Sequence, residues 1–161
     1  MEIVTKSFEA LSKDELYDIL QLRSAVFVVE QDCVYQDIDG KDDKAIHVMG
    51  KSNGALVAYT RLFRPNDYFE NAAIGRVVVA KTHRGQGLAN QLMQASMQHL
   101  LNEVNVSIIE LSAQEYLKQF YRNLGFVEIG PAYLEDGIPH IKMVYGRSEE
   151  HTSELQSLTN L

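Results

Sequence analysis

Three observations on this 161-residue sequence predict an α/β fold with a central sheet and helices packed upon it. Apolar, β-branched runs at 55–63, 73–79 and 106–111 have the length and composition of strands. The stretches 12–27 and 88–104 carry apolar residues at spacings of three and four, as helices with one buried face do. Glycine-bearing turns separate the two kinds of segment.

Taken in order, Ser12, Lys13, Asp14 and Glu15 form a capping box, in which the serine side chain covers one orphan N–H and the glutamate reaches back to another. The helix that starts there turns Leu16, Ile19, Leu20, Arg23 and Phe27 to one face. Within that face Arg23 reads as a residue whose stem is covered while its head snorkels to water, the alternative being a charge pointed into a cleft. Residues 37–44, DIDGKDDK, do not fit a calcium loop, which would need glycine and glutamate where Asp42 and Val48 stand, and read as a solvated turn or an acidic loop beside an acceptor pocket. Asn53-Gly54 is a hairpin signal before the first strand. Leu88, Leu92, Met93, Ser96, Met97, Leu100 and Val104 mark a long helix lying on the sheet. Ser112 to Glu115 reads as a second capping box, opening a helix that buries Leu117, Phe120, Tyr121 and Leu124 and stops at Gly125. Gly130, Pro131 and Gly137-Ile138-Pro139 bracket a last hairpin that ends in 140–145.

With 45% hydrophobic residues and no compositional break, the chain suits one domain, set at 1–146. Residues 147–161 are rich in Ser, Thr and Glu, and 147–157 resemble the translation of a sequencing-adapter read-through; they are expected to be a disordered or artefactual tail. The charge of −7, from 15 basic and 22 acidic residues, argues against a nonspecific nucleic-acid binder or a polybasic membrane surface. No run approaches the ~20 apolar residues of a membrane span, and the acidic start is unlike a signal peptide. A single cysteine, Cys33, agrees with a reducing compartment, so the expected location is cytoplasmic.

The segment at 74–93, IGRVVVAKTHRGQGLANQLM, carries a β-branched strand into a glycine turn and out as a helix. Arg84, Gly85, Gln86, Gly87, Leu88 and Ala89 read R-x-x-G-x-A there, a pattern whose missing or small side chains let a ligand approach the backbone. The unpaired N–H groups and positive dipole at a helix start suit a phosphate, and Arg84 adds a two-pronged donor. Neither the G-x-x-x-x-G-K-[ST] loop nor the full dinucleotide fingerprint is present. A second pattern, S-A-Q-E-Y-L-K-Q-F-Y-R-N-L-G-F at 112–126, follows downstream. Together the two resemble the GNAT superfamily of acyl-CoA-dependent N-acyltransferases. LRSAVFVVEQDCVYQDIDGKD at 22–42, His47 and YLEDGIPHIKM at 133–143 resemble its ElaA-type branch.

That resemblance, over roughly residues 3–145, implies the GNAT fold, an α/β (α+β) arrangement with a mixed, mostly antiparallel sheet flanked by helices. It implies acetyl-CoA as cosubstrate, no metal, and direct acetyl transfer to a primary amine of a small molecule or peptide. The alternative on the same fold is a noncatalytic acyl-CoA-binding or sensing module. Arg84, Gly85, Gln86, Gly87, Leu88 and Ala89 would hold the diphosphate, and the backbone of Val77, Val78 and Val79 would pair with the pantetheine arm as an added strand. Gln114 stands where the superfamily usually has a cofactor-contacting asparagine. Tyr121 takes the position of the tyrosine that can protonate the leaving sulfur, although periodicity alone would make it core. A lysine-type amine is neutral only about once in ~2,500 molecules at pH 7, a cost of roughly 4.6 kcal/mol, so a base or strong desolvation is needed. His140, Glu30, His47 and Asp136 are the candidates; Glu30 can orient an amine or relay its proton, or else cap or pair with Arg23. A monomer and a homodimer both remain open.

Overall fold

The Ser12 hydroxyl accepts from the Glu15 amide at 3.0 Å while the Glu15 carboxylate accepts from the Ser12 amide at 2.9 Å, so α1 (Lys13–Arg23) starts at the expected box. The computed structural model describes residues 1–146; residues 147–161, and with them the expected tail, lie outside the described residues. Ahead of α1 runs β1 (Glu2–Ser7), and beyond it the helix continues with wider, π-type turns over Ser24–Glu30. Then follow β2 (Ile46–Ser52), β3 (Ala55–Phe63), β4 (Ala72–Val79), α2 (Leu88–Gln98), β5 (Ile108–Gln114), α3 (Lys118–Asn123), β6 (Val127–Glu135) and β7 (Ile138–Gly146). Asn53 (φ 52°) and Gly54 (φ 82°) make the two-residue hairpin between β2 and β3.

The sheet is mixed, ordered β1-β2-β3-β4-β5-β7-β6, with antiparallel neighbours except β4 and β5. Period-2 alternation sorts the side chains onto two faces. Ile46, Val48, Ala58 and Leu62 join the cluster that includes Leu92, Met93, Met97 and Leu100 of α2 and its continuation. Met49, Tyr59 and Val78 join Ile19 and Val26 on the α1 side. Burying each of the large apolar residues contributes roughly 1.5–3 kcal/mol before the entropy of ordering is subtracted.

One irregularity makes the site. β4 and β5 run parallel but pair only through Ala72 with Ile109 and Ala73 with Glu110, then diverge. Among the described residues the β4 edge at 75–79 has no strand partner on that side. On the other side the register with β3 shifts between Tyr59 and Arg61, and Arg76 takes φ 52° there.

Several sequence expectations are corrected. β1 and β2 were not anticipated. Ser112 caps no helix: it lies inside β5, opposite Lys142 of β7, and its hydroxyl contacts the Tyr133 hydroxyl. Strand pairing on β7 and burial of Ala113 win over the capping pattern, and the helix starts instead through a 3₁₀ turn at Glu115–Leu117.

Arg23 does not snorkel, being 0% exposed. Its guanidinium donates to Asp37 Oδ2 at 2.9 Å, Asp37 O at 2.9 Å and Asp42 Oδ1 at 2.7 Å. Segment 37–44 is therefore more than a solvated turn: Asp37 and Asp42 are buried, although residues 38, 40, 41, 43 and 44 are exposed. Arg61 holds Asp39 and Asp42, and Arg76 Nε donates to Asp37 Oδ1 at 2.7 Å, so three arginines fill the acidic loop. Burial opposes ionisation of Asp42, but hydrogen bonding to Arg23 and Arg61 holds its carboxyl below the ordinary value. Among the described residues no group of three or more His, Cys, Asp or Glu is placed to hold a metal ion.

Candidate active site

Where β4 and β5 diverge, the gap widens into an open cleft of about 540 Å³ that reaches the head of α2. It brings together Glu30, Val77, Val78, Val79, Arg84, Gly85, Gly87, Leu88, Ala89, Gln114, Tyr121 and His140. Of the residues singled out as binding or catalytic, Gln86 of the turn and His47 lie outside this lining.

At the head of α2 the chain leaves β4 through a 3₁₀ turn (Lys81–His83) and enters the helix across Gly85 (φ 78°) and Gly87 (φ 74°). Among the described residues no side chain caps the helix, and none is recorded as accepting a hydrogen bond from the amides of residues 85 to 89. A side chain added at either glycine would meet nothing within 4 Å, so protein packing does not impose the bare backbone. The left-handed φ favours glycine there, and the space above it is open to a ligand. A polyanion that brings its own acceptors fits this cradle.

Arg84 is anchored beside it. Its Nε donates to the Val79 carbonyl at 3.1 Å, and its two terminal nitrogens grip the Glu30 carboxylate, with Nη2 to Oε1 at 2.8 Å. Glu30 thus pairs with Arg84 and not with Arg23. Hydrogen bonding to Arg84 holds its carboxyl below the ordinary value, which makes it a poor base.

Tyr121 is buried, as periodicity predicts, and it also reaches the cleft. On α3 it is 6% exposed and edge-on to Phe120 and Phe126. Its hydroxyl makes no hydrogen bond to another described residue, and burial pushes its pKa upward, which keeps the phenol protonated.

His140 of β7 lies directly opposite Gln114 of β5 on one side and Tyr133 of β6 on the other. Its ring stacks on Tyr133, and its Nδ1 lies 2.7 Å from the Ile138 carbonyl. A carbonyl only accepts, so Nδ1 carries the proton and Nε2 the lone pair. Nε2 lies 3.3 Å from Glu135 Oε2, so a proton taken up there gains a carboxylate partner. His47 is different: it is fully buried between the Tyr59 hydroxyl (2.7 Å) and the Asp42 carbonyl (2.9 Å), and it is absent from the cleft lining. Burial pushes its pKa down. Asp136 lines the cleft at the β6–β7 turn, where its carbonyl receives the Cys33 thiol. Tyr35 and Arg76, stacked 5.6 Å apart, line the same cleft and were not singled out as site residues from the sequence.

A sequence model described as acetyltransferase (GNAT) domain matches residues 9–146. The chain is 44% identical to protein ElaA of Escherichia coli over 135 residues, covering 83% of this chain and 88% of that protein. It is 44% identical over 145 residues to a UPF0039 protein of Schizosaccharomyces pombe, covering 89% and 95%. Among solved structures, an acyl-CoA N-acyltransferase from Pseudomonas aeruginosa superposes with TM-score 0.85 at 40% identity, covering 91% of this chain and all of that one. The crystal structure of E. coli ElaA superposes with TM-score 0.84 at 41% identity, covering 89% and 98%.

Proposed function

Because the chain belongs to the acetyltransferase (GNAT) family, we propose that it moves an acetyl group from acetyl-CoA directly to a primary amine of a small molecule or peptide. One observation carries this reading: unpaired amides at residues 85 to 89 open into the same cleft that Tyr121 and His140 line.

The thioester supplies an activated acyl carbon and a thiolate leaving group when bound, and the chain's residues divide the remaining work. The 85–89 amides and Arg84 take the diphosphate. Val77, Val78 and Val79 offer the main-chain edge that β5 leaves unpaired, to which an extended amide-bearing arm can add as a strand. Gln114 offers amide donors and an acceptor at the end of β5. His140 Nε2 removes the amine proton, with Ile138 holding the ring's tautomer and Glu135 stabilising the cation that forms. Tyr121, neutral and with no hydrogen-bond partner for its hydroxyl among the described residues, donates a proton to the departing sulfur. A cytoplasmic setting fits the single cysteine.

Calorimetry with acetyl-CoA and thiol release across an amine panel test this. Micromolar binding with amine-dependent thiol release is expected. Absence of binding at millimolar acetyl-CoA would sink the reading, and binding without turnover on any amine would leave a noncatalytic acyl-CoA-binding module.

A further inference from the structure

The Arg84–Glu30 pair joins the end of the π-type segment to the phosphate turn across 54 residues of sequence. Both side chains are partly exposed, 39% and 32%, so the pair is held weakly enough for an incoming anion to compete. Arg84 Nε is tied to the Val79 carbonyl, which fixes the stem at the end of β4 and leaves the far end of the guanidinium as the part that changes partner. That far end is where Glu30 sits. Immediately C-terminal to Arg84 come the unpaired amides of 85 to 89. Two anions cannot both take the same guanidinium edge without repelling each other.

We propose that Glu30 is an internal counter-anion, occupying the Arg84 fork until the diphosphate of an acyl-CoA displaces it, so that Glu30 sets the affinity and selectivity of the turn for diphosphate-bearing thioesters. This rests on the function proposed above. Glu30 is then an affinity-setting residue and not the base, and its removal tightens cofactor binding. A residue that merely oriented Arg84 towards the phosphates would do the opposite.

The test is calorimetric titration at low salt of the whole chain and its Glu30→Gln and Glu30→Asp variants with free CoA, dephospho-CoA and pantetheine. In Glu30→Gln the Kd for CoA and for dephospho-CoA, which keeps the diphosphate, is expected to fall about three- to tenfold, the span for an exposed pair plus relief of repulsion. Pantetheine, which has no phosphate, should bind equally to both proteins. Glu30→Asp keeps the charge and should stay within about twofold of wild type. If wild type binds CoA while Glu30→Gln binds it equally or more weakly, the counter-anion role is overturned and the cofactor assignment stands. If wild type itself takes no CoA at millimolar concentration, both fall.

Discussion

Replacing Gly87 by alanine separates a backbone cost from a ligand cost. Gly87 sits at φ 74°, where a Cβ is strained by about 1–2 kcal/mol, yet among the described residues nothing beyond its chain neighbours lies within 4 Å of that Cβ. Stability should therefore fall by about that amount, lowering Tm by roughly 3–8 °C for a domain of this size. Gly54 is a matched control: it has φ 82°, equally open surroundings, and a place in the β2–β3 hairpin outside the cleft. Gly54→Ala should lower Tm by a similar amount and leave acetyl-CoA binding alone. Gly87→Ala should also displace a diphosphate from one or two amides. Hydrogen bonds to charged groups are worth about 1.5–3 kcal/mol, so the Kd for acetyl-CoA should rise tenfold or more. The assays are thermal melting and calorimetry on both variants. If Gly87→Ala melted early but bound acetyl-CoA as wild type does, the turn would not be the diphosphate site.

Tyr121→Phe removes a hydroxyl that has no hydrogen bond to another described residue, so stability should change by about 0.5 kcal/mol or less while kcat falls about 100-fold or more and CoA affinity is kept; an unchanged kcat refutes the acid role. Arg23→Leu leaves Asp37 and Asp42 with one guanidinium each in a buried loop and should cost about 3 kcal/mol, read from the urea midpoint at constant slope. The Ser12 amide, against some burial, and then Lys6 and Lys51 lower the Glu15 carboxyl from 4.5 to about 2. Its folded value is depressed, so its stabilisation is present above pH 4.5 and is lost as pH falls towards 2. The stability gap between wild type and Glu15→Gln should accordingly be open at pH 7 and close over that acid range, as followed by denaturant midpoints.

Features written in adjacent residues were legible in the sequence. The Ser12–Glu15 box, the Asn53-Gly54 hairpin, the buried face of α2 and the glycine turn at 85–87 each follow from local spacing, and the structure has all four. β2 was not legible because both of its faces are buried: Ile46 and Val48 pack under α2, while on the other face Met49 joins Ile19 of α1 and His47 is enclosed by Tyr59 and Asp42, so no exposed polar face alternates with a buried apolar one. Arg23 misled because a helix position says nothing of carboxylates 14 and 19 residues away. Glu30 misled likewise, its partner lying 54 residues downstream. Ser112 to Glu115 satisfies the capping pattern in letters, yet Ser112, Ala113 and Gln114 have strand partners at Lys142, Ile141 and His140. Tertiary pairing decides between two locally acceptable conformations, and no window of sequence contains it.

The two walls of the cleft are stiffened by different means, and the difference suits what each has to do. The β5–β7 wall is ordinary sheet, with seven register pairs from Ile108–Gly146 to Gln114–His140, so the side chains it presents are placed by ladder geometry. The β4 wall keeps a main-chain edge unpaired by β5, onto which a flexible strand would collapse. Behind it, Arg76 is held by Asp37, Asp37 by Arg23, Arg23 by Asp42, and Asp42 by Arg61 on β3. Arg76 stands at φ 52°, a conformation that costs about 1–2 kcal/mol, and its bond to Asp37 offsets that cost. The same network ties the acidic loop to the bulged strand, which buries charge that a hydrophobic core would not need. Replacing it with apolar packing could raise stability while freeing the bulge. On the proposed function, an edge that accepts a strand-like ligand without first rearranging would give a physical reason for a chain to retain such buried pairs.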